Sequence, residues 1–101
     1  MTQLIQLPRL IHYLQVCDLA KLSAIARKFG AIVMVDNSIM TPIYQRPLDL
    51  GADISMISAT KFVGGHSDVT GGILSVRGKE LADRCGRFSV CISQAYACVN
   101  T

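Results

Sequence analysis

Leu19, Leu22, Ala26 and Phe29 recur at helical spacing, with polar and charged residues among them. That spacing puts them on one face of a helix. Asp18 precedes the run as a plausible N-cap and Gly30 follows as a C-terminal stop. Residues 19–29 are therefore predicted to form an amphipathic helix. The pattern then changes: Ala31, Ile32, Val33, Met34 and Val35 are apolar without alternation. Such a run predicts a strand buried on both faces, as in a parallel sheet. Thr41-Pro42 and Arg46-Pro47 punctuate a loop with at most one helical turn. Further strands are predicted over 53–58 and, after Gly71-Gly72, over 73–76. Arg77-Gly78 reads as a turn, and Lys79 to Arg84 as the start of a helix. Residues 1–16 are apolar and amide-rich, with Pro8 breaking any helix across them.

This order of elements predicts an α/β layer architecture. The gap between 31–35 and 53–58 is long enough for a crossover, so those strands are expected to be parallel. The short return to 73–76 suits an antiparallel partner. Three strands alone would leave sheet edges and at least one face uncovered.

Composition narrows the function classes. At 101 residues the chain is at most one small domain. Half of its residues are apolar and the mean hydropathy is +0.39. That excess suits a piece covered by a larger fold or a partner. The net charge of +3 comes from scattered lysines and arginines, with no basic run to support nucleic-acid binding. No apolar stretch approaches the roughly 18 residues of a membrane span. The start lacks a basic region before an apolar core, so an intracellular, cytoplasmic protein is the default expectation. The cysteines at 17, 85, 91 and 98 form no Cys-x-x-Cys pair and have no histidine nearby. They are expected to be reduced thiols, and no metal site is expected.

The chemistry concentrates in the run from Ser58 to Asp68. Lys61 stands near two hydroxyls, Ser58 and Thr60, and before the pair Gly64-Gly65. An amine that forms an imine with an aldehyde needs a fixed anchor. In an extended backbone, positions 58 and 60 share a face and would present both hydroxyls to one anion. A lysine beside an anion site points to pyridoxal phosphate. Asp36 ends the apolar 31–35 run, where open α/β sheets bind ligands. A carboxylate there can pair with a pyridine nitrogen and keep it protonated. Two other motifs fail. Lys61 precedes the glycines, so 64–67 is not a nucleotide loop. Val69 stands where a hydrolase elbow needs glycine.

The motif Val35-Asp36-Asn37-Ser38-Ile39-Met40-Thr41-Pro42, then Arg46-Pro47-Leu48-Asp49-Leu50-Gly51-Ala52-Asp53-Ile54, then Ser58 to Asp68, resembles the Cys/Met-metabolism (transsulfuration) family of pyridoxal phosphate enzymes. The resemblance runs from about Cys17 to about Arg84. It implies part of the large domain of an aspartate-aminotransferase-like, type I fold: a partial mixed sheet with flanking helices. By position it assigns Lys61 the cofactor linkage and later proton transfer. Asp36 becomes the pyridinium partner, and Ser58 and Thr60 the phosphate-binding hydroxyls. His66, Ser67 and Asp68 fit the pattern without a defined role. The wording around Asp36 and Phe62 favours cystathionine β-lyase, whereas Ala52 to Met56 is closer to γ-lyases.

The implied reaction is β-elimination of cystathionine to homocysteine, pyruvate and ammonia. Cystathionine γ-lyase and γ-synthase are the alternatives within the family. The implied assembly is a homotetramer, with no nucleic-acid or membrane partner. A plastid location applies if the source is a plant, although the chain shows no transit peptide. The family's phosphate-cradling helix start, ring-stacking tyrosine and substrate-carboxylate arginine have no counterpart here. The chain is thus expected to comprise a divergent segment 1–16, a cofactor-domain fragment 17–84 and a divergent tail 85–101. A rival expectation is a catalytically inactive fragment that keeps the local fold or associates with full-length subunits.

Overall fold

The computed structural model describes the backbone over residues 4–7, 17–66, 68, 70–91 and 96–100, and side chains over 17–66, at 68 and over 70–87. The helix break at Pro8 and the motif position Ser67 lie outside the described residues. The elements are β1 (Leu4–Leu7), α1 (Leu19–Lys28), β2 (Ile32–Asp36), α2 (Thr41–Tyr44), β3 (Ile54–Ser58), a π-turn (Ala59–Val63), β4 (Gly72–Val76), α3 (Lys79–Cys91) and β5 (Tyr96–Asn100). The strands form one mixed sheet in the order β1-β2-β3-β4-β5.

Helix α1 starts and stops for the reasons its sequence suggests. The Asp18 carboxylate accepts the Lys21 backbone N–H at 3.1 Å, which satisfies one of the free donors of the first turn. At the other end Gly30 takes φ 65°. The Gly30 N–H then reaches the Arg27 carbonyl and the Ala31 N–H the Ala26 carbonyl, a glycine-dependent stop that ties off the last carbonyls. The chain passes from there directly into β2.

Leu19 and Ala26 of α1 pack with Val33 and Val35 of β2 and with Ala52. Burying a valine or leucine side chain stabilises by about 1.5–3 kcal/mol, so this helix-on-strand contact holds α1 to the sheet. β2 and β3 are parallel, with Asp36 opposite Met56. β3 and β4 are antiparallel, with Ser58 opposite Gly72. Both directions match the expectations from connection length. The Asp53 carboxylate accepts the Val33 N–H at 2.8 Å, and the Asp53 N–H reaches the Val33 carbonyl. The predicted strand therefore begins one residue later, because Asp53 pins the register of β2 with its side chain.

The sheet continues on both sides of this centre. β1 pairs parallel with β2, and β5 pairs parallel with β4. Eight apolar side chains are buried among the described residues, and eight large apolar ones are exposed. That balance leaves much apolar surface without cover. Among the described residues, no helix is long and apolar enough to cross a membrane.

Candidate active site at the ends of β2 and β3

Asp36 is the last residue of β2 and Ser58 the last of β3. The strands are parallel neighbours, so both residues stand at the same, C-terminal end of the sheet. Side chains alternate along a strand and registered partners share a face. Asp36 lies opposite Met56, so Asp36, Met56 and Ser58 share one face. Val33 and Val35, which pack with α1, occupy the other. Met34, Met56 and Leu74 on the Asp36 face are only half-buried.

The chain leaving β2 is fixed by Asn37, which is 1% exposed. Its N–H donates to the Met56 carbonyl at 2.8 Å. Its side-chain amide donates to the Gln45 carbonyl at 2.9 Å and accepts from the Gln45 side chain at 3.1 Å. Its own carbonyl accepts the Thr41 N–H at 2.9 Å. Every polar group of this buried residue is therefore partnered, as burial demands. Thr41 takes φ 59° directly before Pro42. For a β-branched residue that conformation is uncommon and costs energy, which the surrounding bonds must offset.

The Asp36 carboxylate accepts twice on Oδ1, from the Ser38 N–H at 3.0 Å and the Ser38 hydroxyl at 2.6 Å. The bond to the backbone two residues on is an Asx turn. Oδ2 has no partner among the described residues, and the side chain reaches solvent.

Lys61 lies in the π-turn that follows Ser58. The Gly64 N–H reaches the Ala59 carbonyl five residues back at 2.7 Å, and the Gly65 N–H reaches the Lys61 carbonyl at 2.9 Å. The loop base is closed by the Ala59 N–H on the Gly71 carbonyl at 2.9 Å and by the Gly71 N–H on the Thr60 hydroxyl at 3.2 Å. Wide turns of this kind cluster at functional sites. The Lys61 side chain is exposed and has no ion-pair partner among the described residues. Asp36 and Lys61 are thus not paired with each other.

The extended run expected across 58–60 stops at Ser58. Ser58 is extended (φ −71°, ψ 110°), whereas Thr60 belongs to the turn. The glycines after Lys61 allow the wide turn to form, and it overrides the alternation on which the shared-face argument relied. Thr60 accepts one bond and still has its hydroxyl proton to donate. His66 Nδ1 donates to the Gly64 carbonyl at 2.9 Å. This local bond supplies a structural part for a residue that had no assigned role. Asp68 is exposed.

Gly64 is the residue the turn cannot replace. A Cβ there would lie 2.9 Å from the Ala59 carbonyl oxygen, which is backbone and already bonded to the Gly64 N–H. Gly64→Ala should cost about 1–3 kcal/mol, the range for overpacking a closed site. The expected result is a lower melting temperature. An unchanged melting temperature would mean that the turn does not depend on this glycine.

The residues present form a coherent donor set for pyridoxal phosphate. A carboxylate oxygen without a partner among the described residues suits a protonated ring nitrogen, an amine without one suits an aldehyde, and the Ser58 and Thr60 hydroxyls suit a phosphate. Sequence reasoning missed Ser38, Asn37, Gln45 and Gly71. Only the Asp-x-Ser spacing, which favours an Asx turn, carried a local signal.

Comparison with known proteins shows the family of the chain. The family described as Cys/Met metabolism PLP-dependent enzyme matches residues 12–99. The chain is 59% identical over 68 residues to the chloroplastic cystathionine beta-lyase of Arabidopsis thaliana, covering 67% of this chain and 15% of that protein. It is 50% identical over 70 residues to the cystathionine gamma-lyase of Bacillus subtilis (strain 168), covering 69% of this chain and 18% of that protein. The crystal structure of cystathionine gamma synthase from Xanthomonas oryzae pv. oryzae in complex with cystathionine superposes with a TM-score of 0.79 at 36% identity. That match covers 93% of this chain and 24% of the other. The chain therefore spans less than a fifth of the length of these two sequence relatives. The mixed sheet and its flanking helices are a portion of the type I fold, and the chain belongs to the Cys/Met metabolism family of pyridoxal phosphate-dependent enzymes.

Proposed function

We propose that this chain supplies the lysine-bearing part of the active site of a carbon–sulfur lyase that cleaves cystathionine. The observation that carries the proposal is an Asp36 Oδ2 and a Lys61 amine that both lack a partner among the described residues, at one end of one sheet. The 59% identity to a cystathionine beta-lyase favours β-elimination over the γ-reactions. When bound, pyridoxal phosphate supplies a ring that withdraws electrons from the substrate α-carbon.

The chain's own residues then have defined tasks. Asp36 Oδ2 would accept a hydrogen bond from the protonated ring nitrogen and hold that proton in place. Ser58 and Thr60 would donate hydroxyl protons to the phosphate and fix its position. Lys61 Nζ anchors the cofactor at rest. With the cofactor bound, Lys61 Nζ would also be the group to accept the substrate α-proton as a general base. The net reaction converts cystathionine and water to homocysteine, pyruvate and ammonia. Homotetrameric assembly belongs to the same proposal.

A second reading is favoured by the exposed apolar side chains on either side of the site. Ile39, Ile43 and Tyr44 follow Asp36, and Phe62 and Val63 follow Lys61; all are exposed. Catalysis of this kind needs water excluded from the reacting atoms, and that cover must come from outside these residues. On this reading the 101-residue chain alone is silent and works only in association with full-length subunits.

Product analysis tests both readings. A subunit of full family length carrying this segment should release pyruvate and homocysteine from cystathionine, and the chain alone should release neither. Release of 2-oxobutyrate and cysteine would move the assignment to γ-elimination. Lys61-dependent turnover by the chain alone would overturn the second reading.

A further inference from the structure

We propose that Ser38 is a positioning residue that aims the Asp36 carboxylate and ties it to the backbone leading to Lys61. The inference rests on the pyridoxal phosphate reading of the site. The Ser38 side chain is buried and serves two partners at once. Its hydroxyl donates to Asp36 Oδ1 at 2.6 Å and accepts the Ser58 N–H at 2.8 Å. The first bond is charge-assisted and short, the stronger class of hydrogen bond.

The second bond has a topological cause. Ala59 donates to the Gly71 carbonyl on the β4 side. Successive N–H groups of a strand point to opposite sides, so the Ser58 N–H faces β2. The last backbone bond between β2 and β3 is Asn37 N–H to the Met56 carbonyl. Beyond it β2 has ended, and the Ser38 hydroxyl takes the acceptor place that a further strand residue would have filled.

The result is one continuous bracket. It runs from the carboxylate through the hydroxyl to the backbone of Ser58, three residues before Lys61. Both bonds to Asp36 converge on Oδ1, which leaves Oδ2 as the oxygen presented outward. A purely structural serine would need only the turn bond from its backbone N–H. The hydroxyl adds the link between the two cofactor-facing groups.

The test uses a subunit of full family length carrying this segment, titrated with pyridoxal phosphate and followed by the cofactor's visible absorbance. Ser38→Ala should weaken binding about tenfold, the scale of one lost charge-assisted bond. Ser38→Cys, which keeps the shape but donates poorly, should do the same if the alanine variant fails to fold. Ser38→Thr, which keeps the hydroxyl, should restore binding to within about twofold. In an Asp36→Asn background, Ser38→Ala should add only about twofold, because residues acting through one another are not additive. Without cofactor, amide hydrogen exchange at Ser58 should quicken about tenfold in Ser38→Ala.

An effect of Ser38→Ala that is equally large with or without Asp36 would overturn the proposal. So would unchanged binding and unchanged Ser58 exchange in both Ser38→Ala and Ser38→Cys, while Asp36→Asn still weakens binding. Unchanged binding in Asp36→Asn, or no binding by the unsubstituted full-length subunit, would remove the cofactor reading and this proposal with it.

Discussion

Replacing Lys61 with alanine, in a subunit of full family length carrying this segment, is expected to lower cystathionine turnover by about 10²–10⁴-fold, the usual contribution of a general base. The amine has two tasks here, anchoring and proton transfer, so the loss should fall toward the larger end. The fold should survive. Lys61 is exposed and its side chain contributes no bond to the turn, which is held by backbone contacts among Ala59, Gly64 and Gly71. Steady-state kinetics beside a thermal melt separate the two effects. Retained turnover at an unchanged melting temperature would remove Lys61 from the reaction.

Asp36→Asn in the same setting is expected to lower kcat by about 10²–10³-fold, the scale of removing one preorganised electrostatic contact. The structure gives a reason to expect little loss of stability. An asparagine oxygen can take the place of Oδ1 and keep both bonds from Ser38. Its amide then stands where Oδ2 was. It presents N–H donors to a ring nitrogen that must itself donate, so the nitrogen loses its reason to stay protonated. Pyruvate release beside a thermal melt measures both consequences. Near-normal elimination would show that Asp36 does not partner the ring.

The central part of the fold was legible in the sequence because its signals are local. The spacing of Leu19 and Ala26, the cap at Asp18 and the glycine at 30 each act within a few residues. The unbroken apolar run of β2 announced a strand but not its burial: Val33 and Val35 are buried and Ile32 and Met34 only half-buried, so one face is covered rather than the two expected, while connection lengths gave both strand directions. β1 and β5 were not legible. They are about as short as β2, β3 and β4, but they stand beyond the motifs, and their pairing depends on β2 and β4, which local propensity does not announce. At the site, Lys61 and Asp36 were legible through their motifs. The turn at Thr60 was not, because alternation was assumed past the point where Gly64 lets the backbone widen. The Ser38 bracket was half legible. Asp-x-Ser announces the local turn, but the bond to the Ser58 N–H spans 20 residues and exists only once β2 and β3 lie side by side.

The central claim is that Lys61 is the cofactor-bearing lysine. Borohydride reduction of the chain mixed with pyridoxal phosphate, followed by peptide mapping, tests it most directly. The chain has four lysines, Lys21, Lys28, Lys61 and Lys79, and all four are exposed. Accessibility alone would therefore label them without preference. Placement by Asp36, Ser58 and Thr60 should instead direct the phosphopyridoxyl group chiefly to Lys61, and Asp36→Asn should reduce that preference. A label carried mainly by Lys21, Lys28 or Lys79 would contradict the account.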